Sequence, residues 1–561
     1  MRRSRRSARF DDANVDRVAN VTGDALRSSD GVVGAPLVVP VELKNGTTLA
    51  MIANTSGTAA KNRLEANRRG AGIANERRQC RRRRAQHHAK WTELGPQRAA
   101  LTHSVTVSTS DDLHARLENL LGAKVSNLAR LSGGASRETW AFDAETASGG
   151  TKALILRRDP PSLVVVPSRV GGMLLEARLF AAASGAGVPV PILRASGDAD
   201  PDVLETGYLI MDHVDGETIA RKILRDEPYV HTRSVLVGQL GEAAARLHAI
   251  TPASVPGLPP IDPIQKYREM LDELGHPSPT FELAFRWLAT NRPEPVEPCV
   301  VHGDFRLGNV IVDETGLVAV LDWELAHLGD PAEDLGWLCV RAWRFGNTAE
   351  VAGLGSVEEL LRAYHLANGR HDVDAERVHW WLVAGTLMWG VMCVLQANAH
   401  VSGAMRGVEL AAIGRRIAEQ EHDLLDLLGA PDAETPIVAP VGVLTAVEAG
   451  DDVGFPTARI LLDAVRSYLE HDVMDATDGR VAFHARVAQN VLGIVDRELV
   501  LGPRLRETQA RLYASLGTTN ERTLADRIKN GSFDDTSDEL LLALRNVIAI
   551  RIAIANPKYA R

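Results

Sequence analysis

The stretch VHGDFRLGNVIVDETGLVAVLDWE, residues 301–324, gathers three groups able to handle a divalent cation and a proton: Asp304, Asn309 and Asp322. Carboxylates and amide carbonyls are hard oxygen donors of the kind magnesium accepts, and a carboxylate set beside a hydroxyl can take its proton. Residues 309–313 and 317–321 alternate as two short strands about the turn Glu314-Thr315-Gly316. Such a hairpin returns Asp322 towards Asn309. Aspartates beside a turn often do no more than cap it. The full spacing, with Gly329-Asp330-Pro331 and Asp334 following, favours chemistry over capping.

Positioning these groups falls to the elements upstream. An amphipathic helix carries Leu113, Leu117, Leu120 and Leu121 on one face. Strands over 125–131 and 139–144 flank Leu131-Ser132-Gly133-Gly134-Ala135-Ser136, where glycine lets backbone N–H groups approach an anion, although a plain hairpin turn explains Gly133-Gly134 equally well. A third strand, 153–157, ends in Arg157, and strand alternation puts Arg158 on the opposite face. A helix ending at Gly185 has Leu175, Leu179 and Ala183 as its buried stripe. Glu176 sits one position round, within reach of Arg157; its bland alternative is a solvated surface carboxylate. A strand over 208–212 then runs into His213, and the chain reads as mainly helical to about residue 428 apart from the one hairpin.

The 301–324 segment resembles the protein-kinase pattern H-x-D-x-x-x-x-N followed by the D-F-G aspartate, with Gly303 in the second position and Asp322-Trp323-Glu324 in place of D-F-G. Its H-G-D form is similar to the aminoglycoside phosphotransferases and related small-molecule kinases. The resemblance implies an α+β, two-lobed protein-kinase-like fold, with a small β-rich N-lobe and a helical C-lobe. It implies ATP or GTP as phosphoryl donor, Mg2+ as cofactor and a small-molecule hydroxyl as acceptor. Such chemistry asks a protein chiefly to position reactants and neutralise charge.

By the same resemblance Asp304 is the catalytic base and Asn309 and Asp322 hold the metal. Gly133, Gly134 and Ser136 line the phosphate loop, Arg157 with Glu176 fixes the nucleotide, and Met211 and His213 mark the adenine-binding hinge. GDPAEDL matches the stretch that follows the metal aspartate in those kinases, with Asp330 and Asp334 as loop and helix-cap supports, and His302 packs beneath the catalytic loop. Two departures stand out: the loop is not G-x-G-x-x-G, and Arg157 replaces the family's lysine, offering a bidentate fork in place of a point charge. The LRR-x-P strand and the IGRR helix look like kinase domains related to those fused to acyl-CoA dehydrogenases. That implies a hydroxyacyl compound or another metabolite as acceptor, ahead of an antibiotic. A pseudokinase that binds nucleotide and docks a partner is the alternative reading.

At 561 residues the chain exceeds one core. The expected organisation is a leader over 1–103, an N-lobe over 104–214, a C-lobe over 215–429, a Pro- and Ala-rich linker over 430–453 and a separate all-α domain over 454–561. That last domain resembles one of unknown function found beside such kinases, and it is the expected surface for a protein partner. Its helices show stripes at Leu462, Val465 and Leu469, at Val487, Val491 and Ile494, and at Leu540, Leu544 and Val547.

Residues 1–100 carry 20 Lys+Arg against 9 Asp+Glu, while the remainder carries 43 against 63. The arginine runs lack the interleaved aromatics of a single-strand-binding surface, which argues against nucleic acid as a partner. The leader is therefore expected to be largely without regular structure, and a start near Leu101 is expected for the natural product. No secretory signal opens the chain, and WWLVAGTLMWGVMCVL, 380–395, falls short of a membrane span and reads as a core helix. Its Trp380, Trp381 and Trp389 are expected to pack in the core. Four scattered cysteines suggest neither disulfides nor zinc, which fits a cytoplasmic setting and no membrane partner.

Overall fold

A computed structural model describes residues 37–42, 48–53, 110–131, 137–146, 149–159, 172–368, 371–434, 456–534 and 538–559. Within the leader, β1 (Leu37–Glu42) pairs antiparallel with β2 (Thr48–Ala53), a hairpin that the sequence reading did not mark. The missed signal is Asn45-Gly46 between two apolar runs, a strong hairpin dipeptide.

The N-lobe is an antiparallel sheet in the order β3-β4-β5-β7-β6: β3 (Val125–Arg130), β4 (Glu138–Glu145), β5 (Thr151–Arg158), β6 (Leu193–Gly197) and β7 (Tyr208–Asp212). Alternation gives the sheet two working faces. Leu154, Leu156 and Ile210 pack with Leu113 and Leu117 of α1 (Ser110–Leu121), while Ile155, Leu209 and Met211 turn towards α2 (Gly172–Gly185). Arg157 follows Ile155 on the α2 side. Arg158 lies on the other, buried and donating to Glu138 at 2.9 Å. Strand β6 was not expected from the sequence: LRASG has no alternation to mark it, and only pairing with β7 makes it a strand.

The C-lobe runs through α3 (Ala220–Arg225), α4 (Val230–His248), α5 (Pro263–Leu274) and α6 (Pro279–Thr290). Two small ladders follow. β9 (Val310–Asp313) and β10 (Gly316–Val320) form the expected hairpin, and β8 (Cys299–Val301) pairs with β11 (His327–Gly329), a three-residue contact that the sequence reading missed. Beyond them lie α7 (Ala332–Cys339), α8 (Val357–Asn368), α9 (Ala375–Ser402), α10 (Val408–Gly414) and α11 (Ile417–Leu427). Asp374 caps α9 by accepting from the Arg377 N–H at 2.8 Å, and Gly403, at φ +80°, ends it in the left-handed conformation that favours glycine. Although α9 is long and apolar enough to cross a membrane, 89% of its most apolar stretch is buried inside the molecule. Trp380, Trp381 and Trp389 are all buried on it.

Helix α7 crosses α9 at Gly336, where an added Cβ would lie 2.5 Å from the Trp381 Cβ and 2.6 Å from its carbonyl carbon. Backbone cannot give way as a side-chain end can. Gly336→Ala is therefore expected to destabilise the fold by roughly 1–3 kcal/mol, the usual cost of overpacking, read as a lowered midpoint in urea unfolding.

The helical region comprises α12 (Ala458–Tyr468), α13 (Gly479–Ser515), α14 (Glu521–Lys529) and α15 (Asp538–Ala555). It does not stand apart as expected. Leu524, Leu540, Leu544 and Val547 share one hydrophobic core with Leu283 of α6 and Leu425 of α11. Arg551 pairs with Glu421 at 3.1 Å across the same contact. The expected stripe on α12 fails, because Val465 stays 47% exposed while Val487 and Ile494 of α13 are buried. Residues 435–455, most of the expected linker, lie outside the described residues.

Candidate active site

The loop His302–Gly303–Asp304 leaves β8 at the end of its short ladder. Gly303 has φ +76°, and a Cβ there would meet the Leu325 carbonyl oxygen at 2.5 Å, so glycine is required on both counts. The N–H groups of His302 and Gly303 donate to the two oxygens of Asp334 at 2.8 and 2.9 Å. Asp334 is fully buried on α7 and also takes a bond from His248 Nε2 at 3.1 Å. Burial would push its carboxyl up, but these hydrogen bonds and the neighbouring imidazoles hold it below the usual range. Asp330 caps the same helix through the Ala332 N–H at 2.9 Å and pairs with Arg377. Both aspartates thus support the loop.

His302 is buried and bridges the two halves of the site. Its Nε2 faces the Leu321 carbonyl at 2.8 Å, while its Nδ1 accepts from the Asp304 N–H at 3.2 Å. With both ring nitrogens committed, it braces the loop against the hairpin. The Leu321 N–H donates to the Asn309 carbonyl at 2.8 Å, so the hairpin carries Asp322 back beside Asn309.

The Asp304 carboxylate accepts from three donors: Asn309 Nδ2 at 2.6 Å, Arg306 Nε at 3.0 Å and Trp337 Nε1 at 2.8 Å. Because Asn309 Nδ2 also reaches the Asp304 backbone carbonyl at 3.0 Å, its amide oxygen is the atom left for a metal. Asp322 sits at φ +67°, in a left-handed conformation rare for a non-glycine residue and found where function holds the backbone. Burial raises its carboxyl, yet the Arg157 guanidinium, whose Nη2 lies 2.9 Å away, keeps it below the ordinary value and ionised. An amide oxygen and an ionised carboxylate form a donor set that fits magnesium.

The nucleotide side is an ion chain. Arg157 Nη1 donates to Glu176 Oε1 at 2.8 Å, Arg137 binds the other Glu176 oxygen, and Glu176 is buried at 2% exposure, so it is not a solvated surface carboxylate. Met211, one residue before the end of β7, is buried between Ile155 and Leu193. The His213 N–H donates to the Ala153 carbonyl at 3.0 Å, so an adenine contact at this residue would fall to its carbonyl. Gly133, Gly134 and Ser136 lie outside the described residues.

Three residues were missed by sequence reasoning. Arg306 lies inside the 301–324 segment, where nothing set it apart before its bond to Asp304. Arg137 lies next to the glycine turn, where nothing in its pattern distinguished it from a strand-end cation. Trp337 stands three residues after Asp334, one helical turn on, so the two reach the catalytic loop from one face of α7. Trp337→Phe keeps the ring and removes one hydrogen bond to Asp304. Turnover is expected to fall by roughly three- to tenfold with KM for nucleotide unchanged, in a steady-state assay of the purified variant.

A five-stranded antiparallel lobe over a helical lobe, with aspartates and an asparagine at their junction, is a two-lobed, protein-kinase-like fold. Residues 127–375 match the model of the phosphotransferase enzyme family. Residues 475–559 match a domain of unknown function. Among curated proteins, acyl-CoA dehydrogenase family member 11 of Rattus norvegicus is 28% identical over 256 residues, 41% of this chain and 31% of that protein. The Gallus gallus member is 31% identical over 222 residues, 37% of this chain and 27% of that protein. The match thus spans less than a third of these relatives' own length. A solved structure from Ralstonia eutropha, assigned to the aminoglycoside phosphotransferases, is 19% identical, covering 56% of this chain and 97% of that one with a TM-score of 0.45.

Proposed function

We propose that this chain transfers the γ-phosphoryl group of ATP, or of GTP, to a hydroxyl group of a small molecule. The carrying observation is the convergence of Asp304, Asn309 and Asp322 across one hairpin, joined to the Arg157–Glu176 pair from the other lobe. Asp304 orients the acceptor hydroxyl and takes its proton as the oxygen attacks phosphorus. The bond from the γ-phosphorus to the bridging oxygen breaks, and its electrons leave with the nucleoside diphosphate. A magnesium ion held by the Asn309 amide oxygen and the Asp322 carboxylate would neutralise phosphate charge. Arg157, oriented by Glu176, offers its guanidinium fork to the same phosphates.

Three buried free cysteines, Cys299, Cys339 and Cys393, support a reducing, cytoplasmic setting. The test is transfer of labelled phosphate from Mg-ATP across hydroxylated acyl compounds, amino alcohols, sugars and aminoglycosides, where product that disappears on chelating magnesium is expected. A second reading, a nucleotide-binding scaffold without turnover, is favoured by one observation: Arg157 already occupies an Asp322 oxygen that the metal would use. No transfer together with no magnesium-dependent ATP hydrolysis above background would select that reading and end the first.

A further inference from the structure

Between the C-lobe and the end of the helical region lies a cavity of about 430 Å³, within the size range of small-molecule sites. None of the residues assigned above to phosphoryl transfer lines it. The segment after α7 forms part of its wall, with side chains from α9 and α11 and the chain's last described turn, including Tyr559. Five cations face it, Arg221, Arg341, Arg344, Arg416 and Lys558, against two carboxylates, Asp423 and Asp426. That surplus of positive charge is opposite in sign to the chain, whose net charge is −9.

Both carboxylates are committed. Asp423 accepts from Arg341 at 3.1 Å and from the Tyr559 hydroxyl at 2.5 Å, and Asp426 takes Arg545 at 2.5 Å. This network satisfies Arg341 and turns the grouping of His422, Asp423 and Asp426 into an ion-pair cluster. Arg344 is different: its guanidinium reaches the Cys339 carbonyl at 2.7 and 3.0 Å and has no carboxylate partner among the described residues. Arg416 pairs through Nε with Glu419 at 2.8 Å and packs against the Trp389 ring, but its buried Nη1 has no hydrogen-bond partner. A buried guanidinium N–H left without an acceptor costs free energy that a bound anion would restore.

We propose that this cavity binds the phosphate or carboxylate group of an anionic ligand, with Arg344 and Arg416 as its charged contacts and Lys558 supplied by the helical region. Planar guanidinium forks match both anions. The site also communicates with the base. Between Arg341 and Arg344, Trp343 lies 5.4 Å from the Trp337 ring and 4.9 Å beneath the Arg306 guanidinium, and those two residues are two of the three whose side chains donate to Asp304. An anion at Arg344 is therefore one aromatic layer from the catalytic loop. The helical region, to which no activity is attached, becomes one wall of a ligand site. The anion has two sources: the charged end of the phosphoryl acceptor, or a free anion acting as effector.

Binding is read without turnover, so the proposal does not rest on phosphoryl transfer. Titration calorimetry of inorganic phosphate into the full-length protein is expected to show binding that Arg344→Gln and Lys558→Gln each weaken by roughly tenfold, the loss of one charge-assisted contact. Arg157→Gln should leave it unchanged, which separates this cavity from phosphate bound at the nucleotide site. Because Lys558 is exposed, its variant keeps the test sound if Arg344→Gln fails to fold. Absence of phosphate binding, or binding lost only in Arg157→Gln, overturns the proposal. To separate the sources, glycerol 3-phosphate is compared with glycerol, and a hydroxy acid with its methyl ester, as acceptors. A preference for the charged member that vanishes in Lys558→Gln assigns the anion to the acceptor. No preference, with phosphate changing ATP hydrolysis in the wild type but not in Lys558→Gln, assigns it to an effector. Phosphate binding with neither phosphoryl transfer nor ATP hydrolysis would sink the kinase reading and leave this site standing.

Discussion

Asp304→Asn is expected to lower turnover by roughly 10²- to 10⁴-fold, the ordinary worth of a positioned general base, with nucleotide affinity retained. In the proposed mechanism this carboxylate takes the acceptor's proton, and its three donors, Asn309, Arg306 and Trp337, hold it in place. Asparagine preserves shape and one acceptor oxygen, so the loop stays folded. Among the described residues no hydrogen bond or ion pair runs directly from Asp304 to Arg157 or Glu176, which is why binding should survive. Single-turnover phosphate transfer, with nucleotide binding followed by tryptophan fluorescence, checks both halves. Wild-type turnover in the variant would exclude the role given to Asp304, and loss of nucleotide binding would mean that the two halves of the site are coupled.

Asp334→Ala carries the largest expected effect on stability, a loss of about 3–5 kcal/mol, the cost of removing one partner from a buried charged network. Three donors lose their acceptor at once: the N–H groups of His302 and Gly303, and His248 Nε2. The folded carboxyl lies below its ordinary value, so its stabilising effect is fully present at neutral pH. It is lost as the pH falls below the unfolded value of about 3.9 towards the lower folded one. The unfolding free energies of wild type and variant should therefore differ most near pH 7 and draw together below about pH 4. Urea unfolding across that range is the measurement, and a gap that stays constant with pH would show that Asp334 acts by packing alone.

Much of the site could be read from local pattern. The spacing from Asp304 to Asn309, and the alternation on either side of Glu314-Thr315-Gly316, require a hairpin that returns Asp322 to Asn309 wherever that segment folds. Strand alternation likewise put Arg157 and Arg158 on opposite faces before any packing was known, and Glu176 lay within a helix whose stripe left it near that face. These relations hold because covalent geometry sets side-chain direction with a period of two in strands and 3.6 in helices.

Other features required the folded molecule. Strand β6 has no alternation, β8 and β11 are three residues each and too short to show a period, and all three exist through pairing with other strands. Trp337 and Arg137 looked like any core aromatic and any strand-end cation until docking brought them to Asp304 and Glu176. On α12 only half of the predicted burial is met among the described residues, with Leu462 and Leu469 half-buried and Val465 exposed, whereas α15 merges with α6 and α11 although more than a hundred residues separate it from α11 in sequence. An amphipathic face states that it can be covered and is silent about what covers it. That choice belongs to long-range contacts, whose energies depend on how whole elements fit together.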